Sequence, residues 1–138
     1  MAAMNKLVRL GFIPRNFDVG LLILRVVFGL TLCVVHGWGK VVHFSEMAAH
    51  FPDPLHIGAK FTVLFAILSD LVCSLLIVMG VATRWAALIV AINTGAAFVL
   101  VHKFTLFGPH SGELALLFFG WALAILFMGP GRYSVDGL

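Results

Sequence analysis

The sequence predicts an all-α fold, an integral membrane four-helix bundle with up-down topology, and two observations carry that prediction. The first is composition: 62% of the 138 residues are hydrophobic and only 11% are charged, whereas a soluble domain keeps roughly a quarter of its residues charged. The second is patterning: the apolar residues gather in four stretches, each near the ~20 residues needed to cross ~30 Å of hydrocarbon. Helix is the conformation these stretches require, because an isolated strand would leave its backbone polar groups unsatisfied in lipid. The length is that of one domain, so residues 1–138 are read as a single transmembrane domain.

The first span is expected over about residues 18–38. No small-residue cleavage site closes it, so it reads as a retained helix and not as a cleaved signal peptide. A long connection follows, about residues 39–58, with two prolines and three histidines; Met47, Phe51, Leu55 and Ile57 keep it amphipathic, which suits the membrane surface. The second and third spans, about 59–80 and 84–102, are separated only by Val81, Ala82 and Thr83 and form a tight antiparallel hairpin. Gly80 suits the C-cap of one helix and Thr83 the N-cap of the next. The fourth span, about 112–128, follows Ser111, a candidate N-cap, and has Glu113 in its first turn. Gly129-Pro130 ends it. Small residues for close helix contact recur at Gly29, Gly95, Ala96, Ala97, Gly120, Ala122 and Ala124.

The net charge is +3 and the isoelectric point about 9.2. The basic residues stand singly at helix ends and form no stripe, which excludes nucleic acid as the partner. They set topology instead. The side with both termini carries Lys6, Arg9, Arg15, Arg84 and Arg132, against Lys40, Lys60 and Lys103 opposite, so both termini are expected in the cytoplasm. Trp38, Trp85 and Tyr133 fall at span ends as interfacial anchors.

Ionisable residues within membrane helices cost a few kcal/mol or more and mark inward faces. Arg25 and Asp70 would lie roughly 10 and 15 Å from the terminal side by helical rise, close enough to predict an Arg25–Asp70 ion pair joining the first two spans. At about 100° per residue, Arg25 and His36 lie within about 20° of each other, with Lys40 about 40° further round; with Gly29 they form one polar stripe. His36, Lys40, His102, Lys103, His110 and Glu113 are expected to gather at the outer end of the bundle. That group reads either as interfacial ion pairs reaching for water, with Glu113 between Lys40 and His102, or as a pocket for a polar head group such as a quinone ring or small anion. No metal site is expected: the histidines lack a ligand spacing and lysines crowd them, and a haem between His36 and His102 is the weaker alternative. Cys33 and Cys73 differ by roughly 12 Å in height, too far for a disulfide. Asn93 is a candidate for a hydrogen bond across the bundle.

The stretches LILRVVFGLTLCVVHGWGK, LSDLVCSLLIVMGVATRWAAL, FVLVHKF, SGELALLFF and GPGRYSVD, in that order and spacing, resemble the DoxX family of small bacterial membrane proteins. The resemblance runs from about Val19 to Asp136. It implies a multi-pass protein of the bacterial inner membrane, related to membrane subunits of a thiosulfate:quinone oxidoreductase and linked to membrane oxidoreductase complexes. It also implies recurrent positions at Arg25, His36, Gly37, Lys40, Arg84, His102, Glu113 and Arg132. Asp70 departs from the glutamate common in the family, so its pair with Arg25 would be looser or water-bridged. Residues and resemblance together lead to a membrane-embedded accessory subunit of a redox complex, with quinone as the cofactor to look for and other membrane or redox subunits as partners besides the bilayer. The alternatives are a non-catalytic assembly subunit and a small-solute or proton pathway, the latter requiring a homo-oligomer. A stand-alone enzyme is not expected.

Overall fold

Asn16 starts the first helix: its backbone is extended and its side chain accepts the Val19 N–H at 3.1 Å, satisfying an amide that has no partner within the helix. This computed structural model describes Met4 and residues 8–138, so Lys6, counted above for topology, lies outside the described residues. From Asn16 the chain forms α1 (Phe17–Val42), α2 (Phe44–His50), α3 (Ala59–Met79), α4 (Thr83–Val101) and α5 (Glu113–Met128), then a single 3-10 turn over Val135–Gly137. Every regular element among the described residues is helical. α1, α3 and α4 are long and apolar enough to cross a membrane. α5 is shorter, with 16 residues or about 24 Å of rise. The architecture is the four-helix membrane bundle that composition and spacing predict.

Two local expectations are corrected. α1 does not stop at residue 38 but runs on to Val42, with no proline to interrupt it. The 39–58 connection therefore begins later and contains a helix of its own, α2, which ends where Phe51 takes the extended backbone (φ −64, ψ 141) imposed by Pro52. Thr83 does not cap α4. The cap position is Ala82 in the left-handed region (φ 46), and the acceptor for the first amides arrives from the far end of the chain, from Asp136. Gly80 closes α3 as expected, in the left-handed region (φ 74), with its N–H on the Leu76 carbonyl at 2.8 Å.

Three helices contain π-helical segments: Leu32–Gly37 in α1, Leu68–Cys73 in α3 and Ala97–Val101 in α4. Such segments shift the carbonyl ladder by one residue and recur at functional sites. Ser74 takes up the disturbed carbonyls of α3, its hydroxyl donating to Asp70 O at 2.5 Å and Leu71 O at 3.1 Å. The π segments of α1 and α3 face each other so closely that a Cβ on Gly37 would lie 2.7 Å from the Asp70 backbone. α4 and α5 pack through the buried Ala86, Ala87, Ala91 and Ala122, with Val90 and Ile125 between them; small side chains are what let helices approach in lipid. α1 and α5 touch more sparsely. Val27, Val34, Phe61, Leu64, Ile92 and Phe127 remain exposed around the bundle, an arrangement suited to hydrocarbon and unsuited to water.

Candidate functional site

Asp70 lies midway along α3 and is the hub of a buried polar network. Its Oδ2 receives the Lys40 ammonium at 2.7 Å, with the two side chains only 7% and 15% exposed. Its Oδ1 accepts from Asn93 Nδ2 and from the Ser69 hydroxyl, both at 3.0 Å. Lys40 also donates to the His36 carbonyl at 3.2 Å. Helices α1, α3 and α4 thus meet at one carboxylate. Three hydrogen bonds on one carboxylate, one of them from an ammonium, are what make a charge tolerable inside a membrane. Asn93, the amide singled out in the sequence, finds its partner here.

The predicted Arg25–Asp70 pair does not form. Side chains on a helix lean toward its N-terminus. For Lys40 this lean points down α1 to Asp70; for Arg25 it points away from Asp70. The height estimate also assumed that α1 and α3 share a baseline. They do not: Arg25 is level with Gly80, the end of α3, where a Cβ on Gly80 would collide with Arg25 Nη1. Asp70 lies ten residues further along α3, or about 15 Å.

Arg25 is instead buried under the C-terminal tail, at 1% exposure. Its Nη2 donates to the Tyr133 carbonyl, while Nε and Nη1 have no partner. The tail is stitched around it. Arg132 N–H donates to Asp18 Oδ1 at 2.9 Å, Asp136 N–H to Gly80 O at 2.8 Å, and the Asp136 carboxylate accepts from Ala82 N–H at 2.9 Å, Thr83 N–H at 2.8 Å and the Thr83 hydroxyl at 2.7 Å. These hydrogen bonds, the Thr83 N–H foremost, hold the Asp136 carboxyl below its ordinary value of 3.8, with Arg25 adding attraction. No local pattern signals this clasp, since Asp136 and Thr83 are 53 residues apart.

The six residues expected at the outer end divide into two groups. Lys40 joins Asp70 inside the bundle, and His36 lies beside it, its carbonyl accepting from Lys40. His102, Lys103, His110 and Glu113 lie in and around the α4–α5 connection, where His102 Nδ1 is 3.0 Å from the His110 carbonyl. Lys103, His110 and Glu113 are exposed. The expected Glu113–Lys40 and Glu113–His102 pairs are absent among the described residues, because Lys40 is drawn to Asp70 and Glu113 is exposed at the start of α5. Among the described residues no three His, Cys, Asp or Glu side chains are grouped to hold a metal ion. Cys33 and Cys73 are both free and buried.

An aromatic series runs from this network down the α1–α5 seam. The His36 ring meets Phe118 edge-on at 5.6 Å. Phe118 meets Phe28 edge-on at 6.2 Å, and Phe28 stacks on Trp121 at 5.8 Å and 16°. Trp121 Nε1 donates to the Leu24 carbonyl at 3.2 Å. These aromatic residues carry no distinguishing spacing in the sequence; only the fold lines them up with His36.

The sequence model of the DoxX family matches residues 20–103, a stretch that contains Arg25, His36, Lys40, Asp70 and Asn93. The chain is also similar to an uncharacterized protein of Haemophilus influenzae, 30% identical over 122 residues that cover 82% of this chain and 85% of that protein. No solved structure matches.

Proposed function

The chain belongs to the DoxX family, as a multi-pass protein of the bacterial inner membrane, and on that premise we propose that it is an accessory subunit of a quinone-linked redox complex. The observation that carries this reading is the Lys40–Asp70 pair, held at 2.7 Å midway along a membrane-spanning helix and next to His36. Quinone reduction takes up protons, so it needs titratable groups beside the ring at a depth that water does not reach. His36 is the group placed to touch the ring. Lys40 donates to the His36 carbonyl at 3.2 Å and ties that turn of α1 to Asp70. In this reading the tail end is cytoplasmic, and His102, Lys103, His110 and Glu113 form the opposite rim, where protons exchange with water.

The test is purification from native membranes in mild detergent, with mass spectrometry of proteins and lipids and a visible spectrum. The expected result is a co-purifying dehydrogenase or cytochrome together with quinone, and a lower turnover for His36→Ala with normal assembly. A colourless bundle free of partners and quinone would remove the proposal. One observation favours a second reading, that of a non-catalytic assembly subunit: Asp70 ties three helices together and would do so without any chemistry. In that case Asp70→Asn lowers the amount of complex while turnover per assembled complex stays constant.

A further inference from the structure

We propose that the tail end of the bundle is a phosphate site closed by the chain itself: the Asp136 carboxylate sits on the N-terminus of α4 beside the Arg25 guanidinium, and a phosphate group displaces it. The site lies about 22 Å along α1 from Lys40 and does not rest on the quinone-linked reading.

The carboxylate is bound as an anionic ligand is bound. Ala82 is in the left-handed region (φ 46), so its N–H and that of Thr83 converge on one point. Asp136 Oδ1 accepts from the Ala82 N–H at 2.9 Å, and Oδ2 accepts from the Thr83 N–H at 2.8 Å and the Thr83 hydroxyl at 2.7 Å. Behind these donors run the 19 residues of α4, whose dipole favours negative charge at this end.

Arg25 makes the donor set larger than the carboxylate that fills it. It is 1% exposed, and its Nε and Nη1 have no acceptor among the described residues, a costly state for a buried cation. Its Nη1 is aimed at the same corner. Arg25 Nη1 and the Ser134 side chain both crowd the point where a Gly80 side chain would begin, and the Gly80 carbonyl receives the Asp136 N–H at 2.8 Å. Arg25 attracts the carboxylate, yet both carboxylate oxygens are already taken by α4. A phosphate has more oxygens. Two can replace those of Asp136 on Ala82 and Thr83, and the others can accept from Arg25. Helix-terminal amides and a guanidinium are the donors that phosphate recognition uses.

The present occupant is removable. Within residues 132–138 only Ser134 is buried, so little apolar burial holds the tail down. The Arg132 N–H on Asp18 and the Asp136 N–H on Gly80 do that instead. Ser134 and the Tyr133 carbonyl, which cover Arg25, leave together with Asp136. A phosphate suits this depth, because Trp85 and Tyr133 mark the interface and the exposed Arg84 and Arg132 add positive charge there. A carboxylate on so short a tether competes at an effective concentration of about millimolar, so the closed chain takes phosphate weakly and loss of the carboxylate opens the site.

The test uses the full chain in dodecyl maltoside, a detergent without phosphate, and reads the Ala82 and Thr83 amide resonances. Wild type and Asp136→Ala are titrated with inorganic phosphate, with phosphatidylglycerol, and with diacylglycerol, which lacks the phosphate. Asp136→Ala is expected to bind a phosphate ligand at least about tenfold more tightly than wild type, with both amides shifting. Asp136→Ala/Arg25→Met loses that gain, and Asp136→Ala/Lys103→Met, with the same charge change at the other end of the bundle, keeps it. Tightening toward inorganic phosphate identifies a soluble phosphate; tightening toward phosphatidylglycerol alone identifies a lipid headgroup; either upholds the site. No tightening toward either ligand overturns it, as does an equal response to diacylglycerol or a gain that survives Arg25→Met. Should Arg25→Met unfold the chain, the comparison of Asp136→Ala with wild type, in which Arg25 is intact, decides.

Discussion

Helix α1 carries two buried cations, Lys40 opposite the middle of α3 and Arg25 at the tail end, and they are held in opposite ways. Lys40 faces a carboxylate at 2.7 Å that is itself hydrogen-bonded by Asn93 and Ser69. Arg25 has one carbonyl acceptor and two unpartnered nitrogens, and the carboxylate that attracts it, Asp136, is exposed. One cation sits in a network that would be ruined by losing a member. The other is covered by a tail that approaches from outside. The difference teaches that on a membrane helix the direction of side-chain lean, as much as position along the axis, selects a partner: both side chains reach toward the N-terminus of α1, and only Lys40 finds a carboxylate there.

The comparison can be broken most directly at Lys40. Lys40→Met leaves Asp70 buried and unpaired, and is expected to cost about 3–5 kcal/mol of stability, read as loss of resistance to unfolding by denaturing detergent. The double variant Lys40→Met/Asp70→Leu recovers most of that loss; equal destabilisation by the single and double variants would show the pair to be energetically idle. Gly37→Ala comes next. Its Cβ would press on the Asp70 backbone at 2.7 Å, so α1 and α3 must separate, at a cost of about 1–3 kcal/mol. The same measurement on Gly39→Ala, which meets open space, gives the baseline.

Arg25→Met sharpens the contrast from the other side. It removes a single charged hydrogen bond and strands no buried carboxylate, so about 1–2 kcal/mol is expected, clearly less than Lys40→Met. A larger loss for Arg25→Met than for Lys40→Met would reverse the ranking of the two sites. The smallest effect belongs to Asp136→Asn, at about 1 kcal/mol, as for loss of an N-cap. Because the folded Asp136 carboxyl is held below its ordinary 3.8, its contribution is present above that value and disappears as pH falls through the depressed one. Thermal unfolding of wild type and Asp136→Asn should therefore differ at neutral pH and converge on acidification below about pH 4. A gap that persists in acid would point to packing of the tail and not to its carboxylate.

Much of the site was legible in the sequence because polar residues in apolar stretches are conspicuous. Asp70, Lys40, His36 and Asn93 stand out against their neighbours, and each does face inward. Their pairing was not legible. The Arg25–Asp70 expectation failed because heights counted from span ends carry the error of those ends, and α1 begins well below the level where α3 stops. Glu113 was expected to join Lys40, but a residue at the first turn of α5 is exposed, while Asp70 is within reach of the ammonium. The aromatic series Phe118–Phe28–Trp121 was hidden for a different reason: an aromatic residue in a membrane helix looks the same in a sequence whether it faces lipid, core or a groove.

The sequence by itself determined the solvent of this protein, the number of its spans, the hairpin closed by Gly80 and the residues too polar to face lipid. Those properties follow from local quantities: hydropathy over ~20 residues, a left-handed glycine at a helix end, the cost of burying charge. Only the tertiary structure decided which cation meets Asp70, that Asp136 closes α4, and that Arg25 lies under the tail. Those depend on helix register and crossing, which are set by close approaches such as Gly37 on Asp70 and by contacts between residues as distant as Thr83 and Asp136, and neither is encoded in the spacing of residues along a single helix.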